Sequence, residues 1–102
     1  MSVICSSVRE KPRPCLETLL QITDTDLMQT YAHRLLEARE RDLAAGNEEF
    51  SDRYRKSNRE WIQYRDAECA RRRDYAPAGA SPDDYELACV VELTRRRLVD
   101  MR

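Results

Sequence analysis

The sequence is poor in the residues that end strands and form tight turns. Its 102 residues include two glycines and four prolines, whereas 36% are charged and 41% are hydrophobic. A β-sandwich needs frequent turn signals, and this chain has too few of them. The length suits one small domain, and the composition favours helices with charged outer faces.

Long apolar runs and a surplus of positive charge are also missing. No apolar run approaches the ~18 residues of a membrane-spanning helix, so we predict no membrane span. The formal net charge is −1, whereas proteins that bind nucleic acid non-specifically usually carry a net positive charge. We therefore predict no nucleic-acid partner.

Catalytic and metal-binding patterns are absent from the sequence. The single histidine, His33, has no nucleophile and orienting acid at a spacing that would form a triad. Asp66 and Glu68 are two carboxylates on a predicted helix, and nothing in the sequence indicates a glycosidase cleft around them. We predict that the protein is not an enzyme and holds no cofactor or metal.

Four isolated cysteines are the first positive signal: Cys5, Cys15, Cys69 and Cys89. Zinc sites usually contain closely spaced C-x2-C pairs, and none occurs here, so we predict disulfides. Sequence alone permits three pairings. Cys69 and Cys89 are equidistant from Gly79, as residues facing each other across a helical hairpin would be, and Cys5 is near Cys15. We favour these two pairs.

Disulfides imply an oxidising compartment, but the first residues do not form a secretory leader. The segment Met-Ser-Val-Ile-Cys-Ser-Ser has no apolar core of 7–15 residues. Either the chain is a mature form with an added methionine, or the cysteines are reduced in the cytosol. We favour the first, and predict a periplasmic or secreted protein.

Capping signals predict three helices. The first starts at Thr23-Asp24-Thr25-Asp26 and ends near Gly46, where a left-handed residue suits a helix end. Asn47 caps the second, which runs to about Tyr75, and Ser81-Pro82 starts the third. Residues 1–22 form a lead-in with a short helical turn from Pro14 to Leu20, and residues 23–102 form the bundle. The predicted fold is all-α: an antiparallel three-helix bundle stapled by disulfides.

Helical spacing predicts the buried faces. In the first helix, Leu27 and Tyr31 begin an apolar stripe, which Met28, Leu36 and Leu43 are expected to broaden. In the second helix, Trp61 and Tyr64 are expected at the core or at its edge. Arg65 is expected to pair with a buried or half-buried acid, because its planar fork suits a carboxylate.

Three segments carry a resemblance to a known family. They consist of Cys15 with Asp26, Leu27, Tyr31, Leu35 and Leu36; Trp61 with Tyr64, Arg65, Asp66 and Cys69; and Cys89 with Leu93, Thr94 and Arg97. Together they resemble the LprI-type lysozyme inhibitor family, a family of small secreted bacterial proteins. The likeness covers about residues 5–98, and the second segment is its most specific part.

The resemblance implies an exported or lipid-anchored helical domain with disulfides, and some members of the family inhibit lysozyme. We therefore expect a non-enzymatic binding protein that blocks a lysozyme-type glycosidase by occupying its cleft. An envelope structural or protein-interaction module with another partner is the alternative. A cytosolic adaptor with reduced cysteines is a third interpretation.

The turn between the second and third helices is the candidate partner-binding loop. Its proline-flanked residues are more elaborate than a plain connector requires, and such a rigid loop suits insertion into an enzyme cleft. The residues we assign to it are Tyr75, Pro77, Ala78, Gly79 and Ser81. The motif residues Leu27, Tyr31, Trp61, Tyr64, Arg65, Asp66, Leu93, Thr94 and Arg97 are expected to serve mainly the structure.

Overall fold

Three antiparallel helices form the bundle that the sequence predicts. The computed structural model describes Cys5 and residues 12–101, so most of the predicted lead-in before Pro12 lies outside the described residues. The helices are α1 (Pro12–Ala45), α2 (Glu49–Arg73) and α3 (Pro82–Met101), and the described residues contain no strand. The bundle is slender, with extents of 56 × 23 × 16 Å.

The predicted start of the first helix is wrong. Thr23-Asp24-Thr25-Asp26 lies inside α1, and the predicted short turn at Pro14–Leu20 belongs to the same continuous helix. The threonine hydroxyls do not cap a helix end, because Thr23 donates to the Leu19 carbonyl at 2.7 Å and Thr25 to that of Gln21 at 2.9 Å. Such bonds satisfy a hydroxyl within a helix. The division into a lead-in (1–22) and a bundle (23–102) stays a prediction, and α1 runs across it.

Both disulfides pair as predicted and lie at one end of the molecule. Cys5 and Cys15 have Cα atoms 5.6 Å apart, and Cys69 and Cys89 have theirs 5.5 Å apart. Cys5 packs with Leu16 and Ala88, whereas the second bridge packs with Leu93. This end, which includes the α2–α3 connection at 74–81, is called the disulfide end.

The opposite end is closed by hydrogen bonds. Gly46 adopts φ 73° after α1, as predicted for a helix terminus, and its amide donates to the Asp42 carbonyl at 2.8 Å. The side chain of Asn47 accepts a hydrogen bond from the Glu49 amide at 3.0 Å. The side chain of Asp42 accepts hydrogen bonds from the next two amides of α2, those of Phe50 and Ser51. This end, around Asp42 and the α1–α2 connection at 46–48, is called the carboxylate end.

Helix α3 is too short to reach the carboxylate end. Its last carbonyl, that of Met101, accepts a 2.8 Å hydrogen bond from Arg34, whereas α1 continues to Ala45. At 1.5 Å per residue, about 16 Å of α1 extends past this point. The carboxylate end is therefore a two-helix hairpin beyond a three-helix body.

The predicted breadth of the apolar stripe on α1 is wrong. Leu27 is buried as expected, but Met28, Leu36 and Leu43 are exposed by 70%, 57% and 84%. Each residue turns a helix by about 100°, which directs these three side chains away from the face that holds Leu27. Because only two helices pack against α1, they cover a narrower arc than the sequence suggests.

Candidate functional site

From Tyr75 to Ser81, the α2–α3 loop is a tight, exposed and uncharged segment. The Ala80 amide donates to the Pro77 carbonyl at 3.0 Å, and Gly79 between them has φ 86°. This arrangement matches a type II turn, whose third residue requires positive φ. Pro77, Ala78 and Gly79 are exposed. The loop therefore presents a defined backbone turn at the tip of the molecule.

Tyr75 is the large side chain of this loop, and it is 72% exposed. The Arg71 guanidinium lies 5.9 Å from its ring centroid, at a distance that permits a cation–π contact. The Tyr75 amide donates to the Arg72 carbonyl at 3.0 Å. The backbone of Tyr75 is thus fixed by the end of α2, while its ring remains available to a partner.

Charged pairs and a disulfide hold the base of the loop. Arg73 bonds to Asp83 and also to Glu86, at 3.3 Å, across the loop. The hydrogen bond from Arg73 holds the pKa of Asp83 below its usual value. The Ser81 hydroxyl accepts from the Asp84 amide at 3.3 Å, as predicted for a helix cap. The Cys69–Cys89 bridge joins the two helices directly below.

The motif residues come together mainly around Trp61, in the body of the bundle. The guanidinium carbons of Arg65 and Arg97 lie 5.4 and 5.5 Å from the centroid of the Trp61 ring. Arg65 also donates to the Thr94 hydroxyl at 3.2 Å, and this hydroxyl donates to the Val90 carbonyl at 2.6 Å. Thr94 is fully buried. Because Trp61 and Arg65 belong to α2 whereas Thr94 and Arg97 belong to α3, the cluster joins these two helices.

One expectation about the motif needs correction, and another is confirmed. Tyr64 is 56% exposed and is not a core residue. At about 100° per residue, it lies on a different face of α2 from the buried Cys69. Arg65 does pair with a half-buried acid, as expected: it lies 3.9 Å from Asp24, whose side chain is 46% exposed. It also bonds to Asp66 at 2.9 Å, and that carboxylate is largely in solvent. Its buried partner is the Thr94 hydroxyl, which composition could not single out.

Three motif residues remain: Leu27, Tyr31 and Leu93. Leu93 packs against the Cys69–Cys89 bridge, and Leu27 is buried in α1. Tyr31 stacks on Tyr54 of α2 with ring centroids 5.3 Å apart. The structure thus distributes the motif along the bundle, and the candidate loop lies apart from it.

A match to a protein-family model shows which family the chain belongs to. The model described as "Lysozyme inhibitor LprI" matches residues 5–101. The chain belongs to this family. No curated protein and no solved structure matches the chain.

The assignment to the LprI family agrees with the resemblance seen in the motif residues, and it gives the protein an inhibitor-type function. Family membership and the two disulfides both point to a location outside the cytoplasm. None of the described helices is long and apolar enough to cross a membrane. Among the described residues, no cluster of histidine, cysteine, aspartate or glutamate is suited to a metal ion.

Sequence reasoning missed the buried carboxylate of Asp42. This LprI-family chain uses it to accept hydrogen bonds from the amides of Phe50 at 2.8 Å and Ser51 at 3.1 Å, and from the Ser51 hydroxyl. Burial alone would raise the pKa of Asp42, but these hydrogen bonds outweigh it and lower the pKa. The sequence offers little sign of this role, because Asp42 lies in α1, before the α1–α2 connection, and not at the residue just before α2 where a capping side chain is usually found.

A groove between α1 and α2 near the carboxylate end was also missed. It is open to solvent, has a volume of about 380 Å³, and is lined by Arg34, Glu37, Ala38, Arg41, Phe50, Arg53, Tyr54 and Ser57. Burial raises the pKa of Tyr54, and its hydroxyl is buried without a partner among the described residues. The lining carries three arginines against one glutamate. Spacing on each helix could have shown that these arginines face the same way, but not that the two helices meet there.

Proposed function

We propose that the protein inhibits a lysozyme-type glycosidase by occupying its cleft, and that it is not itself an enzyme. Membership of the LprI family supports the inhibitor role. The observation that carries the mode of action is the exposed, uncharged loop from Tyr75 to Ser81, at the disulfide end of a bundle measuring 56 × 23 × 16 Å. We propose a periplasmic or secreted location for this encounter.

The chemistry of the loop suits insertion into a cleft. Its seven residues carry no charge, so moving them out of water does not incur the desolvation cost of a charged group. Tyr75 supplies a large amphipathic ring, the kind of side chain that often dominates binding energy at interfaces. The charged residues Arg73 and Asp83 flank the loop and would remain at the rim.

The loop is also held in place before it meets a partner. The turn at Gly79, the pairing of Arg73 with Asp83 and the Cys69–Cys89 bridge all restrict its conformations. A segment that is already ordered loses less conformational entropy on binding. Affinity therefore depends on oxidation of Cys69 and Cys89, as well as on the contacts of Tyr75.

A cell-wall lysis assay with several lysozyme types tests this proposal. The oxidised protein is expected to inhibit at least one type at micromolar concentration, and Tyr75→Ala is expected to weaken inhibition by about tenfold or more. Tyr64→Ala is the matched control, because Tyr64 is also an exposed tyrosine but lies within α2, about 16 Å from Tyr75 along the helix direction. It is expected to inhibit like the unmodified protein.

Three outcomes would count against the proposal. An absence of inhibition of every lysozyme type by the oxidised protein would reject the inhibitor role. Inhibition that survives Tyr75→Ala but is lost with Tyr64→Ala would place the interface on the side of α2 instead of the loop. Turnover of cell-wall substrate by the protein alone would reject the non-enzymatic assignment.

A further inference from the structure

The groove at the carboxylate end combines aromatic surface with positive charge. Phe50 is 36% exposed, and the Arg41 guanidinium lies 6.0 Å from its ring centroid. Tyr54 also lines the groove, and its hydroxyl is buried. Pockets for small molecules commonly combine apolar walls with a few placed polar groups, and this groove has that composition.

Its positive charge is local and is only partly neutralised by neighbouring acids. The chain as a whole has a net charge of −1, yet three arginines and one glutamate line the groove. Arg34 is engaged by Glu37 and by the Met101 carbonyl. Arg53 is 3.6 Å from Glu49, and its side chain is 73% exposed. Arg41 forms no ion pair with any described residue, which leaves its planar donors free for an anion.

We propose that this groove binds an acidic sugar, one that carries a carboxylate. The carboxylate would accept hydrogen bonds from Arg41 and Arg53, because the guanidinium fork matches a carboxylate in geometry and charge. The sugar ring would pack against Phe50. The groove is open and has a volume of about 380 Å³, near the lower limit for ligand pockets, so the proposed ligand is a single sugar unit.

The groove and the loop are at opposite ends of the bundle, so the two sites are independent. Tyr54 and Arg73 are separated by about 28 Å along α2. One molecule can therefore bind a sugar at the carboxylate end while the loop engages a glycosidase. Cell-wall glycan combines amino sugars with carboxylates, so such binding would hold the inhibitor where lysozyme acts.

An NMR titration of the oxidised, isotope-labelled protein tests the proposal with three probes. N-acetylmuramic acid carries an amino sugar and a lactyl carboxylate, N-acetylglucosamine lacks this carboxylate, and lactate lacks the sugar. We expect N-acetylmuramic acid at millimolar concentration to shift the amides of Phe50, Tyr54 and their neighbours. The other two probes are expected to bind at least about tenfold more weakly, because each lacks one of the two contacts.

Arg41→Gln supplies the variant arm, with Arg39→Gln as its matched control. Both arginines are exposed on α1, but Arg39 does not line the groove, since residues two positions apart on a helix do not share a face. Arg41→Gln is expected to weaken N-acetylmuramic acid binding about tenfold, and Arg39→Gln to leave it unchanged. Circular dichroism checks that both variants fold.

Several results would overturn this assignment. They are an absence of shifts at the groove with N-acetylmuramic acid, equal binding of N-acetylglucosamine or lactate, and equal losses from the two arginine variants. None of them bears on lysozyme inhibition, which is measured separately with the loop variants. Conversely, a protein that binds the sugar but inhibits no lysozyme would retain the groove site and lose only the proposed inhibitor role.

Discussion

The two ends of the bundle are held together by different physical means. At the disulfide end, two covalent bridges pack among apolar side chains such as Leu16, Ala88 and Leu93. At the carboxylate end there is no bridge between described residues, and the buried Asp42 fixes the start of α2 through hydrogen bonds. Of the described helices, three share the first end and two form the second.

Because of this difference, the stability of each end depends on a different solution condition. A disulfide depends on the redox environment, whereas a buried carboxylate depends on pH. The loop proposed to enter a lysozyme cleft is therefore built on the part that an oxidising compartment stabilises. The proposed sugar groove lies on the part that the ionisation of Asp42 stabilises.

The largest expected effect comes from removing the Cys69–Cys89 bridge. Loop-entropy arguments assign about 3 kcal/mol to a ring of this size, a large part of the stability of a small domain. We expect Cys69→Ala combined with Cys89→Ala to lower the free energy of unfolding by about this amount. Chemical denaturation followed by circular dichroism measures the change.

The Cys5–Cys15 bridge provides the comparison for that measurement. Its sequence separation is 10, against 20 for Cys69–Cys89, so the entropy model assigns it a somewhat smaller effect. We expect the Cys5→Ala, Cys15→Ala variant to lose less stability and to retain lysozyme inhibition. An equal or larger loss would show that packing around Cys5 matters more than the size of the ring.

The sequence predicted the disulfide end better than the carboxylate end. Symmetry about Gly79 and the Ser81-Pro82 start located the Cys69–Cys89 hairpin, because both signals are local. The roles of Asp42 and Arg34 depend on contacts between different helices, and spacing along one helix does not reveal them. The start of α1 was wrong for a related reason: threonine and aspartate suit helix caps, but their side chains can also be satisfied inside a helix.

After the two bridges, the carboxylate end offers the next largest effect, through Asp42→Asn. A carboxylate accepts from both amides and the Ser51 hydroxyl, whereas an amide side chain has only one acceptor oxygen. We expect a fall in melting temperature of several degrees, smaller than that caused by losing the Cys69–Cys89 bridge. Asp52→Asn is the matched control, because Asp52 is an exposed acid in the first turn of α2. It is expected to change the melting temperature little.

The pH dependence of stability shows how much the ionised carboxylate of Asp42 contributes, as distinct from other carboxylates. Its pKa is lower in the folded protein than its usual 3.8, so its stabilisation is complete above that value and is lost as the pH falls through the folded pKa. The loss of stability on acidification should therefore be smaller in Asp42→Asn than in the unmodified protein. Identical acid profiles for the two proteins would show that another carboxylate is responsible.

The smallest effect is expected from the ion pair of Arg13 and Asp84 at the disulfide end, where Arg13 Nη1 lies 3.0 Å from Asp84 Oδ1. The pair joins α1 to α3, and its hydrogen bond raises the pKa of Arg13, yet the arginine side chain is 49% exposed. Exposed pairs contribute little net stability, and salt screens them. Arg13→Gln should change the melting temperature by less than about 2 °C. A loss as large as that of Asp42→Asn, persisting in high salt, would mean that ionic contacts as well as bridges hold this end.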